Sequence, residues 1–271
     1  MYNTPYHKAI VKKNLSTFYS YSSYSEKEKV TFIKRFSQQL PTRIEFLFSL
    51  PMFGTVAEIG VSEGSFSKCI LHINKPKALH LIDCWEYQKS PAYTNDPSNA
   101  SQQEQDRRFK NVQKTFQQYK NVYIHKVYSL AAAKTFPKEY FDWIYIDANH
   151  TYNAVKKDLE AWYPKVKKTG IIAGHDYTKK PFFPIGVIQA VDEFMQKHDM
   201  EMFLIDNDSW HSWAIRRKQP KRTLLEIASY LSVTLRRFIA KSQNIEQGIL
   251  FTNVFFRKAK RLTLLLSSLS R

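Results

Sequence analysis

One run constrains the fold of this chain more than any other: Thr55 to Phe66, Thr-Val-Ala-Glu-Ile-Gly-Val-Ser-Glu-Gly-Ser-Phe. A short apolar strand passes through an acid, Glu58, and stops at Gly60. A few residues later Gly64 precedes the apolar stripe of a helix. A second strand, Leu79 to Asp83, then also ends in an acid. Strand, tight glycine turn, helix and strand in this order form a crossover unit. Such a unit joins parallel neighbours in a doubly wound sheet.

The downstream pattern repeats that alternation. Short apolar strands are expected at Val56–Ile59, Ala78–Ile82, Val122–Lys126, Phe141–Ile146, Ile171–Ala173, Glu201–Ile205 and Trp210–Ile215. Helices are expected at Ser65–Ile73, Gln103–Tyr119, Ser129–Phe136, Thr151–Tyr163 and Gly186–Lys197, with Lys168-Thr169-Gly170 as a turn into the fifth strand. Strands alternating with helices at this spacing predict an α/β fold, a doubly wound Rossmann-like sheet of seven strands. Before it, Ser25 to Leu40 reads as a helix capped by Ser25, and Thr42–Ser49 as a second. The expected organisation is an N-terminal helical cap over 1–52, a catalytic domain over 53–216 and a basic helical tail over 217–271.

Charge distinguishes these regions. The chain of 271 residues carries a formal net charge of +17, and Arg216 to Arg271 alone holds 13 Lys or Arg against 2 Glu. Any anionic partner is therefore expected at the tail. Its stretches Arg222–Lys241 and Leu250–Leu269 place apolar residues at helical spacing among Arg236, Arg237, Lys241, Arg257, Lys258, Lys260 and Arg261. The plainer reading is a helical extension packing on the core or on a second copy of the chain. The sharper one is an interfacial helix on an anionic membrane surface or a lipid-linked glycan. A hydrophobic content of 43% excludes wholesale disorder. Cys69 and Cys84 are too few for a disulfide framework, and the opening residues lack a signal-peptide apolar core. A cytoplasmic protein is expected, peripheral at the inner membrane face if the tail binds lipid.

Three constellations carry chemistry. Gly60 permits the bend after the first strand, Gly64 allows close backbone approach at a helix opened by Ser65, and Asp83 stands where a carboxylate meets ribose hydroxyls. The Gly-x-x-x-Gly spacing departs from the pyrophosphate fingerprint and suits a cofactor without phosphate, such as S-adenosylmethionine. Asp147 ends the fourth strand within Ile146-Asp-Ala-Asn-His-Thr-Tyr152, which brings His150 close. His175-Asp176 follows the fifth strand on the same edge of the sheet. Two carboxylates and an imidazole at neighbouring strand ends suit a divalent ion such as Mg2+ on Asp147, His175 and Asp176.

In this order the segments resemble the class I S-adenosylmethionine-dependent methyltransferases, and among them the small-molecule and sugar O-methyltransferases of macrolide-sugar and cephamycin pathways. The resemblance spans Phe53 to Ile215 and is densest from Tyr145-Ile-Asp-Ala-Asn-His-Thr-Tyr to Gly174-His-Asp-Tyr. It implies that Glu58, Gly60 and Gly64 line the methionine end of the cofactor, that Asp83 binds its ribose and that Ser129 lies near its adenine. Tyr128 replaces the acid that usually precedes that serine, and His175 replaces one acid of a metal-holding pair.

The implied activity is O-methylation of a hydroxyl on a sugar, glycan or small molecule. Activation comes either from an ion on Asp147 and Asp176 or from His150 or His175 as general base, with His150 the base if the ion takes His175. A nucleic-acid methyltransferase and a non-catalytic cofactor-fold module recruited through its tail are the competing classes. Nucleic acid is disfavoured because most of the charge lies outside the catalytic segment. The polar, aromatic segment Trp85–Arg108, with Tyr87, Tyr93 and Arg107, is expected to cover the acceptor.

Overall fold

The computed structural model describes residues 24–35, 41–90, 93–94, 96, 98–179, 185–206 and 210–218. The expected tail helices lie outside these residues. The chain divides after Lys218 into two units, and the first carries every element described below.

Seven strands make one sheet. In chain order the elements are α1 (Glu26–Arg35), α2 (Pro41–Phe48), β1 (Thr55–Ile59), α3 (Ser65–Ile73), β2 (Ala78–Asp83), α4 (Gln102–Phe116), β3 (Val122–Lys126), α5 (Ser129–Thr135), β4 (Phe141–Ile146), α6 (Tyr152–Trp162), β5 (Val166–Gly174), α7 (Val187–Lys197), β6 (Met200–Ile205) and β7 (Trp213–Arg217). The strand order is β3-β2-β1-β4-β5-β7-β6. β7 runs antiparallel to both its neighbours and the rest of the sheet is parallel. The strand order reverses between β1 and β4, so the carboxyl ends of these two strands open a crevice. Ligands of doubly wound sheets bind at such a switch point.

Both faces of the sheet are covered, which is why its central strands are apolar throughout rather than alternating. On one face α2, α3 and α4 bring Leu47, Ile70 and Phe116 against Trp143 and Tyr145 of β4. On the other, α5, α6 and α7 bring Ala132, Trp162 and Phe194 against Ile144 and Ile146. Helix α2 belongs to this core: Ile44, Phe46, Leu47 and Phe48 are all buried. Ser25 caps α1 as the sequence suggests. Its hydroxyl receives the Glu28 amide at 3.4 Å, and the Glu28 carboxylate returns to the Ser25 amide at 2.7 Å.

Three boundaries differ from expectation by three residues or more, and helix α4 is one of them, ending at Phe116 rather than Tyr119. The turn at Lys168-Thr169-Gly170 lies inside β5, where the ladder slips: Phe141 pairs with Val166 but Trp143 pairs with Ile171. Three extra residues bulge out of β5 while pairing persists on both sides. A Cβ on Gly170 would stand 2.6 Å from Val166 Cγ1 and 2.8 Å from the Asp142 carbonyl, so the bulge needs glycine there. The last strand begins at Trp213, not Trp210. The carbonyls of Trp210 and His211 are taken by the amides of Asp176 and Tyr177, both at 3.1 Å, and cannot enter the ladder.

Candidate active site at the carboxyl edge of the sheet

A cavity of about 860 Å3 opens at the switch point, within the usual range of roughly 300–1,000 Å3 for small-ligand sites. Of the residues expected to hold a cofactor, Glu58, Gly60, Ser65, Asp83 and Ser129 line it, and Gly64 does not. Gly64 has φ +75°, and a Cβ there would lie 2.9 Å from the Phe116 ring. Its lack of a side chain serves the packing of α4 against the turn. Gly60 is the more demanding position. At φ +90°, its Cβ would fall 2.0 Å from the Asp147 carbonyl oxygen. The glycine lets the ends of β1 and β4 touch, and a backbone bond from the Asp147 amide to Ile59 at 2.8 Å fastens them.

Asp83 holds the loops at the mouth. One oxygen accepts the amides of Val61 and Ser62, each at 2.9 Å, and the other accepts the Trp85 amide at 2.9 Å. An ionised carboxylate has about four acceptor positions, so a face remains for ligand hydroxyls. Ser129 is also engaged. Its hydroxyl donates to Asp158 at 2.5 Å and accepts the Trp162 indole N–H at 2.9 Å. Burial pushes Asp158 up to about 6, partly countered by that bond. Tyr128, in place of the expected acid, donates to Glu86 at 2.5 Å, and both line the cavity.

Glu58 sits on the floor, 2% exposed, and takes the Ser67 hydroxyl of α3. Burial pushes it up to about 8, against the pull of Ser67 and of the nearby Arg43 charge. Glu58 is therefore held toward its neutral form near pH 7. A cationic ligand group beside it would draw off its proton.

The catalytic candidates converge. His150 Nε2 is 2.9 Å from Asp176 and 3.6 Å from Asp147, while Nδ1 meets Asp96 at 3.3 Å. His175 Nδ1 stands 3.3 Å from Asp176 and 3.9 Å from Asp147. Burial opposes charge on His150, but Asp147, Asp176 and Asp96 together carry it well above the ordinary imidazole value. Burial likewise opposes charge on Asp147, yet Arg43, His175 and His150 hold it below the usual carboxylate range.

Two participants carry no motif in the sequence. Arg43 of α2 donates to Asp147 Oδ2 and, at 3.2 Å, to the Tyr145 hydroxyl. Its signal is a lone cation among the core residues of α2, Ile44, Phe46 and Leu47. Asp96 lies in the covering segment and has none. The segment 85–108 is only partly a cover. Glu86, Gln88, Tyr93, Ser98, Gln105 and Arg108 line the cavity. Trp85, by contrast, is fully buried in the core with its indole N–H on the Ser62 carbonyl. Arg107 instead bridges Glu104 and Glu63 at the surface.

Asp147, His175 and Asp176 offer ligand atoms within 4.8 Å of one another, a donor set suited to a hard divalent ion. Two observations argue against a resident ion facing an acceptor. The Arg43 guanidinium already neutralises Asp147. Of the three, Asp147 lines the cavity, while Asp176 is buried and already 2.9 Å from His150 Nε2.

Comparison with known proteins agrees with the fold. Residues 57–177 match the model of a family described as a methyltransferase domain. This part of the chain is similar to methyltransferase domains. No curated protein matches the sequence. Among solved structures, a ribosomal-protein methylase from Lactobacillus delbrueckii subsp. bulgaricus is 13% identical, covering 73% of this chain and 82% of its own at a TM-score of 0.44. Fibrillarin of Aeropyrum pernix, with natively bound S-adenosyl-L-methionine, is 8% identical over 69% of this chain and 74% of its own, TM-score 0.43. A tRNA methyltransferase of B. subtilis is 10% identical over 82% and 96%, TM-score 0.44. The matched segment contains Glu58 of the cavity floor and the Asp147–His150 pair. Among the described residues no helix is long and apolar enough to cross a membrane.

Proposed function

We propose that this methyltransferase acts on a hydroxyl oxygen of a sugar, glycan or other small polar acceptor. The observation that carries this reading is the Asp147–His150 pair on the cavity wall, backed by Asp176 and Asp96. A hydroxyl is a weak nucleophile near neutral pH and must lose its proton as its oxygen becomes an ether. It therefore gains from a proton acceptor placed at the reacting atom.

S-adenosylmethionine, when bound, supplies a methyl group made electrophilic by a sulfonium. This chain's residues do the rest. Glu58 offers a buried carboxyl to a cationic ligand group, and Asp83 and Glu86 offer carboxylate oxygens at the mouth. The His150 ring takes the acceptor's proton. Asp96 on Nδ1 fixes the ring, and the carboxylates beside Nε2 stabilise the imidazolium that results. Tyr93, Ser98 and Arg108 make this side of the cavity polar, with the Tyr93 oxygen as an acceptor and the Arg108 guanidinium as a cation, as a polar ligand requires.

The competing form of this reading places a divalent ion on Asp147, His175 and Asp176, with His150 still the base. A membrane-linked glycan acceptor rests on the basic composition of residues 217–271 alone. The test is transfer of labelled methyl from S-adenosylmethionine to a panel of free sugars, sugar nucleotides and structured RNA. Ether formation on a sugar hydroxyl supports the proposal. Label in RNA alone contradicts it.

A further inference from the structure

We infer that Arg43 is the built-in cation of this active site, balancing Asp147 where a divalent ion would otherwise do so, and that it keeps such an ion out. The catalytic half of this inference rests on the function proposed above; the ion-exclusion half does not.

Arg43 is a fixed, oriented group. One guanidinium nitrogen is bonded to Asp147 Oδ2, and Nε reaches the Tyr145 hydroxyl at 3.2 Å. Its planar face lies 4.0 Å from the Phe66 ring centre and 5.3 Å from that of Tyr145. The side chain is 14% exposed, and it lines the same cavity as Asp147 and His150. A guanidinium keeps its charge at every working pH and offers several N–H donors in one plane. Helix α2 thus delivers to the end of β4 a permanent positive charge with donors in reserve.

That charge competes with any ion. A divalent ion on Asp147 would share its carboxylate with Arg43 at a distance of a few ångströms, where little water screens the repulsion. Its other donors, His175 and Asp176, already face one another at 3.3 Å. Arg43 lines the cavity beside Asp147 and needs no such donors. Arg43 therefore holds Asp147 ionised and offers N–H groups to the acceptor oxygen, the two services an ion would render.

The experiment measures Mn2+ binding to the full chain by electron paramagnetic resonance, with thermal unfolding as a fold control. The wild type is expected to bind no Mn2+ below millimolar concentration. Arg43→Gln is expected to bind it about 100-fold more tightly or better, on the Coulomb scale of an adjacent like charge. Arg43→Lys keeps the charge and should restore exclusion. Turnover of the wild type should survive chelation, while Arg43→Gln loses it. Micromolar Mn2+ binding by the wild type that Asp147→Asn abolishes would overturn the inference, as would an Arg43→Gln protein that unfolds normally yet still binds no Mn2+. The wild-type measurement decides the matter alone if Arg43→Gln does not fold. Failure to bind S-adenosylmethionine, with the Mn2+ pattern intact, would strike the proposed function and leave ion exclusion standing.

Discussion

Replacing Gly60 by alanine tests how the site is assembled. The added Cβ meets three backbone atoms: the Asp147 carbonyl oxygen at 2.0 Å, its carbon at 2.5 Å and Ala148 Cα at 2.8 Å. No side chain can rotate aside, so the ends of β1 and β4 must separate. Overpacking of this kind costs about 1–3 kcal/mol, and a left-handed backbone on an L-residue about 1–2 kcal/mol more. The expected loss is about 2–5 kcal/mol, which lowers Tm by roughly 4–20 °C at ~2–4 °C per kcal/mol for a domain of this size. Gly64→Ala is the control. Its φ is also positive, but its new Cβ meets the edge of the Phe116 ring at 2.9 Å, and a ring can tilt. It should lose about 1–2 kcal/mol, mainly the backbone cost. Differential scanning calorimetry gives both values, and calorimetric titration with S-adenosylmethionine should show the larger affinity loss in Gly60→Ala. A Gly60→Ala protein that melts with the wild type would refute the claim that strand contact, rather than ligand approach, demands glycine at this position.

Three further outcomes follow from the buried acids and the histidine. Asp158, raised to about 6 in the fold, contributes stability in full below its unfolded value and loses it as pH rises through about 6. A shift of about two units corresponds to about 3 kcal/mol, so Asp158→Asn should melt above the wild type at pH 7.5 and close to it at pH 4; equal melting at both pH values rejects this. Because burial pushes Glu58 up to about 8 and a cationic ligand favours its ionised form, affinity for S-adenosylmethionine should rise between pH 6 and 8, by at most about tenfold per unit, and then level off. Glu58→Gln should flatten that slope, and a slope that persists in the variant assigns it elsewhere. The rate of methyl transfer should climb with pH through a value above the ordinary imidazole range, because His150 must shed its proton to act as base. Asp96→Asn removes one of the carboxylates that raise it, so that limb should move to lower pH; an unmoved limb assigns it to another group.

The alternation of strands and helices was legible because each element is buried against the sheet, and burial imposes apolar runs of the right length. The acids at the strand ends stood out because a charged group terminating such a run has no packing reason to be there. Asp83, Asp147 and Asp176 stand out this way, with His150 and His175 beside them in sequence, and the structure brings Asp147, His150, His175 and Asp176 within hydrogen-bonding or ion-pairing reach. What stayed hidden depends on contacts remote in sequence. Arg43 reaches Asp147 across 104 residues, and Asp96 reaches His150 across 54. The packing of Phe116 against Gly64 was hidden for a related reason: a helix end opened by glycine looks the same in sequence whatever ring lies beside it. The β5 bulge was read as a turn because its Lys-Thr-Gly composition suits both.

The most direct test follows labelled methyl from S-adenosylmethionine to the sugar acceptor in the wild type and in Asp147→Asn and His150→Gln. Removing a positioned general base slows turnover by about 100- to 10,000-fold. The account therefore predicts a loss of at least about 100-fold in both variants, with S-adenosylmethionine affinity held within a few-fold of the wild type. Variants that turn over at the wild-type rate, or that lose cofactor affinity in proportion to rate, would contradict it.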